Sequence, residues 1–307
     1  MKDQVFSVGY RRLPGDRPRR WAPWPIARTA LALAWRKRST KLGVVLCAMS
    51  VFGHGIAIAA QVLAERVMGR MGDRDGPGVM RDVLRSVVGN VHATLATFIG
   101  MQMIACAFLL AMVAAGLVAE DRRTGAMELY FSRPLRRRDY VVGKLLAAGL
   151  VPLVTLVVPF SLLWLAAVGM APARASQELM GLLLPGLLGA VVAAVVLTTT
   201  ILGLSALGER GRTVGVIYVV GMLVLTSAGA DLPRHGQAWA GYLSPLRNVQ
   251  TLADAALDAG STGMLMQLLI SRPDTNPSVT LAVLCLLGLA GLGMALLLWR
   301  VRTEVAG

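Results

Sequence analysis

The side chains able to do chemistry in this chain are few, and most of them crowd into one segment. From Glu120 to Lys144 the run EDRRTGAMELYFSRPLRRRDYVVGK holds four carboxylates, six arginines and one lysine between two uncharged apolar stretches. Mixed signs at this density make the segment more than a positive-inside tether, and a solvated loop that happens to be charged fits the same pattern. Gly143-Lys144 lacks the upstream glycine and the following Ser or Thr of a phosphate-binding loop. Ser205 sits in Gly203-Leu204-Ser205-Ala206-Leu207, which fails the G-x-S-x-G pattern of a nucleophile elbow. Cys47, Cys106 and Cys285 lie in apolar runs at no metal-ligand spacing, so they read as small buried hydrophobes. His54, also in an apolar run, is a suspect for proton or substrate handling, and a neutral imidazole bonded within a helical bundle is the plainer reading. Met101, Met103, Cys106 and Met112 offer soft-metal ligands, yet in a chain with 15 methionines they read as core filling. Thr198, Thr199, Thr200 and Ser205 either line a pore or bond their own helix carbonyls.

The elements that hold these residues follow from composition. The chain has 307 residues, 55% hydrophobic and 16% charged, with a mean hydropathy of +0.62 and a pI near 10.9. Crossing a bilayer takes about 20 apolar residues at a rise of about 1.5 Å each. Six stretches free of Asp, Glu, Lys and Arg reach or approach that length: 42–61, 95–119, 145–173, 179–208, 213–230 and 275–299. The expected fold is therefore an all-α membrane protein of six transmembrane helices. Residues 1–41 form a basic arm and an interfacial helix, and 42–307 form one six-span domain.

Basic residues near span ends stay on the cytoplasmic side. With six spans both termini share a compartment, and their side carries 22 basic and 8 acidic residues against 9 of each opposite, so the whole net charge of +14 falls on one face. This places both termini in the cytoplasm of a plasma (inner) membrane protein. It also explains the pI by topology, without nucleic acid, because the charge is divided among short loops rather than gathered in a groove.

Several local features refine the expectation. Residues 1–41 are too long, and too interrupted by Pro14, Pro18, Pro23 and Pro25, for a signal peptide. Ala57-Ile58-Ala59 mimics a cleavage site, but retention of the first span is expected. Pro25 suits a first helical position; Ile26, Ala30, Leu33 and Ala34 then share a face, with Trp21, Trp24 and Trp35 as interfacial anchors. On the outer side, 62–94 holds a stripe of Val79, Val83, Val87 and Val91 that extends the second span, and 73–78 is a turn. In 231–276, Ser244-Pro245 opens a helix with Leu246, Val249, Leu252, Ala253, Ala256 and Leu257 at helical spacing, ending at Gly260. Residues 262–270 are apolar but too short to cross, so this region is read as amphipathic or partly re-entrant helices. Ala107, Ala111, Ala115 and Ala119, Gly189 with Ala193, and Gly53 with Ala57 permit close helix approach. Pro152 and Pro159 kink the third span, with freed carbonyls satisfied by neighbours such as Thr155. Within the charged segment, residues 124–133 form a short surface helix with Met127, Tyr130 and Phe131 on its apolar side and Glu128 and Arg133 elsewhere, stopped at Pro134.

The series Glu120, Arg122, Gly125, Glu128, Leu129, Ser132, Pro134, Leu135, Arg137 and Gly143-Lys144-Leu145 closely resembles the loop between the second and third spans in permease subunits of type-2 ABC exporters. Agreement extends to the basic elbow helix before the first span, six spans with internal termini, and Tyr242-Leu243-Ser244-Pro245-Leu246 before the last span. Ala126 departs from the family pattern, where Thr is commoner. The resemblance implies that the loop contains a cytoplasmic coupling helix, positioned by Glu120, Arg122, Arg123, Gly125, Glu128 and Pro134, which receives force from an ATPase. It implies two ABC ATPase subunits as partners, with ATP and Mg bound there and no cofactor on this chain, and a second permease copy or a paralogue. The second and fifth spans would face the path. This chain would carry no catalytic residue. A secondary transporter or channel without an ATPase partner is the alternative; it should show acidic residues at midspan or an inverted repeat, and neither is clear. Among lipid, glycan, peptide, drug and metal-linked substrates, architecture does not choose.

Overall fold

Where water is excluded, each backbone N–H must find a carbonyl within its own segment, so uninterrupted apolar sequence becomes helix. The computed structural model of the chain describes residues 23–70, 90–131, 136–259 and 278–306, and among these all regular structure is helical. The long elements are α2 (Arg38–Arg70), α3 (Val91–Val113), α6 (Arg137–Pro152), α7 (Val158–Met170), α9 (Leu183–Leu207), α10 (Gly211–Asp231) and α12 (Val279–Ala306). The short ones are α1 (Pro23–Trp35), α4 (Ala119–Arg123), α5 (Ala126–Phe131), α8 (Ala173–Met180) and α11 (Pro245–Ala256). Six stretches are long and apolar enough to cross a bilayer: Arg38–Val67, Val91–Val113, Arg137–Met170, Ala175–Leu207, Gly211–His235 and Val279–Thr303. Each coincides with an expected span.

Helix α3 is the axle of the bundle. Of its crossing segment 67% is buried, against 22% for the α2, α10 and α12 crossings. The peripheral helices turn large apolar side chains outward, among them Phe52 and Ile56 of α2 and Val216 and Val224 of α10. Exposure on that scale is foreign to water-soluble proteins and suits contact with lipid. Helices α9 and α12 approach closely, for a Cβ on Gly203 would lie 2.7 Å from the Gly293 carbonyl oxygen. Gly189 and Ala193 are buried as expected, and Gly215 of α10 packs on the alanine row at Ala111 and Ala115. Gly53 instead faces outward with open space around it, and no described helix packs on it.

Pro152 and Pro159 bracket a π turn, Leu153–Val157, between α6 and α7. Proline lacks the N–H that would serve the carbonyl four residues earlier. For Pro159 that carbonyl belongs to Thr155, and buried Gln102 Nε2 donates to it at 2.6 Å, while Thr155 Oγ1 donates to Val151 O at 2.9 Å.

Boundaries moved where tertiary contacts intervened. The second span does not run to 119: α3 stops at Val113, and turns cover 114–118 before α4 begins. Helix α3 starts at Val91, capped by Asn90 Oδ1, which accepts from Ala93 N at 2.6 Å; Val79, Val83 and Val87 lie outside the described residues. In α1 the buried stripe is Pro23, Ile26, Ala27 and Ala34, and Leu33 points away with Trp24 and Trp35. The helix opened by Ser244 ends at Ala256 rather than Gly260, because Asp258 takes a left-handed conformation (φ 47°). A short polar side chain tolerates that region. Residues 1–22, which include Trp21, and 262–270 are also outside the described residues.

Candidate functional site

The turns that interrupt the second span leave backbone N–H groups needing acceptors, and a fourth-span hydroxyl supplies one. Ser205 is fully buried; its Oγ accepts from Val118 N at 3.1 Å and from Ala119 N at 3.2 Å, and donates to Ala115 O at 2.7 Å. A single side chain thus fills the joint between α3 and α4. The threonines before it bond their own helix: Thr198 Oγ1 donates to Ala194 O and Thr199 Oγ1 to Val195 O.

Helix α4 then ties off two more helix ends. Arg122 Nη1 donates to Ala206 O at 2.9 Å and Gly208 O at 3.1 Å, placing a cation at the C-terminus of α9. Glu120 Oε1 accepts from Gly211 N at 3.2 Å, placing an anion at the N-terminus of α10. Its other oxygen accepts from Arg123 Nε at 2.8 Å. The Arg123 hydrogen bond first, and the Gly211 N–H second, hold the Glu120 carboxyl below its ordinary range. Gly116 and Gly211 permit this closeness, since a Cβ on Gly211 would sit 2.7 Å from the Gly116 Cα.

The opposite side of α4 grips the third span. Lys144 Nζ lies 2.7 Å from Asp121 Oδ2, and Tyr140 Oη donates to the same oxygen at 2.8 Å. Both Lys144 and Tyr140 are buried, with the ammonium 5.3 Å from the Tyr140 ring centroid. Tyr130 of α5 stacks at a tilt on Tyr140, 5.6 Å between centroids, and its hydroxyl is pushed up by burial and then by the Asp121 charge. Gly143 receives α1, for a Cβ there would meet Ile26 Cβ at 2.9 Å and Pro23 O at 3.1 Å. Adjacent residues of one motif therefore hold two different elements.

Of the helix expected over 124–133 the described part is α5, Ala126–Phe131, and α4 is a separate helix before it. Thr124-Gly125 divides α4 from α5, with Gly125 at φ +68°, a left-handed turn that glycine adopts without strain. Met127 is buried, whereas Glu128 is exposed and makes no ion pair with any described residue. Of the expected positioning residues, Glu120, Arg122 and Arg123 gather at the α9–α10 joint, Gly125 turns the chain and Glu128 faces outward. Pro134 lies outside the described residues. A recess of about 470 Å³ opens beside them, lined by Arg122, Arg123, Glu209 and Arg210.

Sequence reasoning missed Asp121, Tyr140 and Lys144 as a unit, and it left the role of Ser205 open. Tyr140 and Lys144 sit four apart at the start of an apolar run, which puts them on one helix face; nothing in the sequence pointed to Asp121 as their partner.

Elsewhere polar side chains bond within the bundle. His54 Nδ1 lies 2.8 Å from Ser50 O with the ring edge-on to Phe98, 5.4 Å between centroids. At the far end, Ser244 Oγ accepts from Arg247 N at 3.2 Å, Arg247 Nη1 donates to Gly229 O at 2.7 Å, and Tyr242 Oη accepts from Ser278 N at 2.8 Å. Residues 242–247 so link α10, α11 and the residue before α12. Among the described residues no three His, Cys, Asp or Glu side chains converge as a metal site.

No curated protein matches the chain. The family model described as ABC-2 family transporter protein matches residues 36–300.

Proposed function

The chain belongs to the ABC-2 family of transporter proteins, and from that premise we propose that it is the permease subunit of an ATP-driven exporter, worked by a separate ATPase through residues 120–144. As a family member with six apolar crossing helices it is a multi-pass membrane component of a transport system, not itself catalytic. Two ATPase subunits bind the ATP and Mg, and a second copy of this chain or a paralogue completes the membrane unit. The Glu120 end of the bundle is cytoplasmic in the plasma (inner) membrane, with α1 as elbow helix and α5 as coupling helix.

One observation carries this reading: α4 bonds the ends of three spans at once, through Lys144 of α6, Ser205 and the last carbonyls of α9, and Gly211 of α10. Packed interfaces resist continuous deformation, so a displacement of α4 moves those ends together. Glu128 and Arg123 stand exposed beside this joint, where a docked subunit can press. Closure of the ATPase pair on nucleotide pushes α5, and α4 delivers the motion to the third, fourth and fifth spans. The second and fifth spans flank the path so opened.

The test is affinity purification of the tagged chain from its native membrane. An ATPase bearing a phosphate-binding loop should co-purify in equal amount, and its hydrolysis should persist in Glu128→Arg while coupling to substrate is lost. Recovery of the chain with no such subunit would overturn the proposal.

A further inference from the structure

We infer that the fourth and sixth spans, α9 and α12, form one rigid body that ties the joint at α4 to the segment around Tyr242 at the opposite end of the bundle. It rests on the exporter reading only for the source of the force that moves this body. The pairing follows from two glycines. A Cβ on Gly203 would meet the Gly293 carbonyl oxygen at 2.7 Å and the Gly293 Cα at 2.8 Å. One on Gly293 would meet the Thr199 carbonyl oxygen at 2.4 Å and its carbonyl carbon at 2.6 Å. Each obstacle is backbone, which cannot rotate aside as a side chain does. The two helices therefore touch main chain to main chain, an approach that only small residues permit.

On both sides of this crossing the seam continues. Ala282 and Leu286 are buried before Gly293, and Leu297 and Val301 after it, at spacings that keep one face of α12 inward. Sliding one helix past the other would drive the Gly293 carbonyl into α9, and close-packed interfaces do not deform continuously. A rigid pair of this kind moves as a unit or not at all.

Each end of the pair is bonded to something that matters. At the Glu120 end, Arg122 Nη1 holds Ala206 O and Gly208 O, about one turn beyond Gly203, and Ser205 Oγ holds Ala119 N. At the other end Ser278 N, one residue before α12, donates to Tyr242 Oη at 2.8 Å, and α11 packs against α12. From Val279 to Val301 α12 rises about 33 Å, close to the thickness of the hydrocarbon core. A displacement of α4 thus reaches α11 across the bilayer by translation of one body. The competing route is α10, which bonds Glu120 at one end and Arg247 at the other, through Gly211 N and Gly229 O.

The experiment follows amide exchange at Ser278 and across residues 247–256 in the purified full-length chain in lipid nanodiscs. Gly293→Ala and Gly203→Ala, made separately, should each accelerate exchange there on the order of tenfold, the scale of an overpacked core. Gly293 lies about 22 Å along α12 from Ser278, so a purely local defect does not reach it. Gly291→Ala, on the open side of the same helix, should leave these amides at the parent rate. Arg122→Gln should accelerate them in the parent and add nothing in Gly293→Ala, since the link is already broken there. Glu120→Gln should leave them unchanged. Acceleration confined to the residues around the crossing, or an Arg122→Gln effect that adds in full to that of Gly293→Ala, would overturn the inference. So would Glu120→Gln matching Arg122→Gln, because α10 would then be the carrier. No ATPase or nucleotide enters these measurements, so their failure is distinct from a failure of the exporter reading, which co-purification tests.

Discussion

Lys144 Nζ lies 2.7 Å from Asp121 Oδ2, joining the start of the third span to the five-residue helix after the second. Both groups are largely withdrawn from water, with side chains 5% and 18% exposed. Removing one partner of such a pair strands the other charge at a cost of about 3–5 kcal/mol, whereas replacing both by apolar groups of similar size is often nearly neutral. Lys144→Met should therefore lower the thermal midpoint of the purified protein sharply, and Asp121→Leu combined with Lys144→Met should recover most of the loss. If the double variant is as unstable as the single one, the pair is not what holds α4 to α6.

Ser205→Ala removes the acceptor of two backbone N–H groups and the donor to Ala115 O. Leaving buried backbone groups unpaired costs about 1–3 kcal/mol. Amide exchange across residues 114–119 should accelerate in this variant. Thr199→Val, which only gives up a bond to its own helix, should leave those amides as slow as in the parent.

Two glycines of the segment should respond differently. Gly125 has open space around it but a left-handed backbone, so Gly125→Ala should cost about 1–2 kcal/mol through strain alone. Gly143 lacks space instead, and Gly143→Leu should lift α1 from α6. Spin labels on Arg28 and Val142 would report that separation, and an unchanged distance would refute the packing role.

Glu120 gives a pH dependence of definite sign. Its carboxyl is held below the ordinary value of 4.5 by the Arg123 hydrogen bond and then Gly211 N. A depressed carboxyl stabilises the fold above pH 4.5 and loses that contribution as pH falls through the lower folded value. Because Glu120 is well exposed the effect is small, and it is weakened by salt. Unfolding of Glu120→Gln should show a flatter acid limb than the parent; identical limbs would mean the carboxylate bonds contribute nothing.

The parts of this molecule legible in its sequence are those encoded by local chemistry. Uninterrupted apolar length gave all six crossing helices, Ser244-Pro245 gave the start of α11, and Pro152 and Pro159 marked the irregular third span. What escaped depends on residues far apart in the chain. Ser205 meets Val118 across 87 positions and Tyr140 meets Asp121 across 19, and no periodicity records such pairings. The same cause moved the end of the second span from 119 to Val113: residues 114–118 carry no charge or proline to stop a helix, Gly116 only weakens it, and the contacts with Ser205, Gly211 and Gly215 favour turns there. Leu33 misled for a related reason, since the buried face of α1 is chosen by the notch at Gly143 and not by which residues are apolar.

The central claim, that α5 is pressed by a separate ATPase, is tested most directly by cross-linking from Glu128. Cys285, the exposed native cysteine, is first replaced by Ala; Cys47 and Cys106 are buried. With Glu128→Cys in that background, a short thiol-to-amine cross-linker applied in the native membrane should join the chain to a subunit bearing a phosphate-binding loop, and nucleotide should change the yield. Modification of the introduced thiol by small reagents without any cross-link to such a subunit would contradict the account.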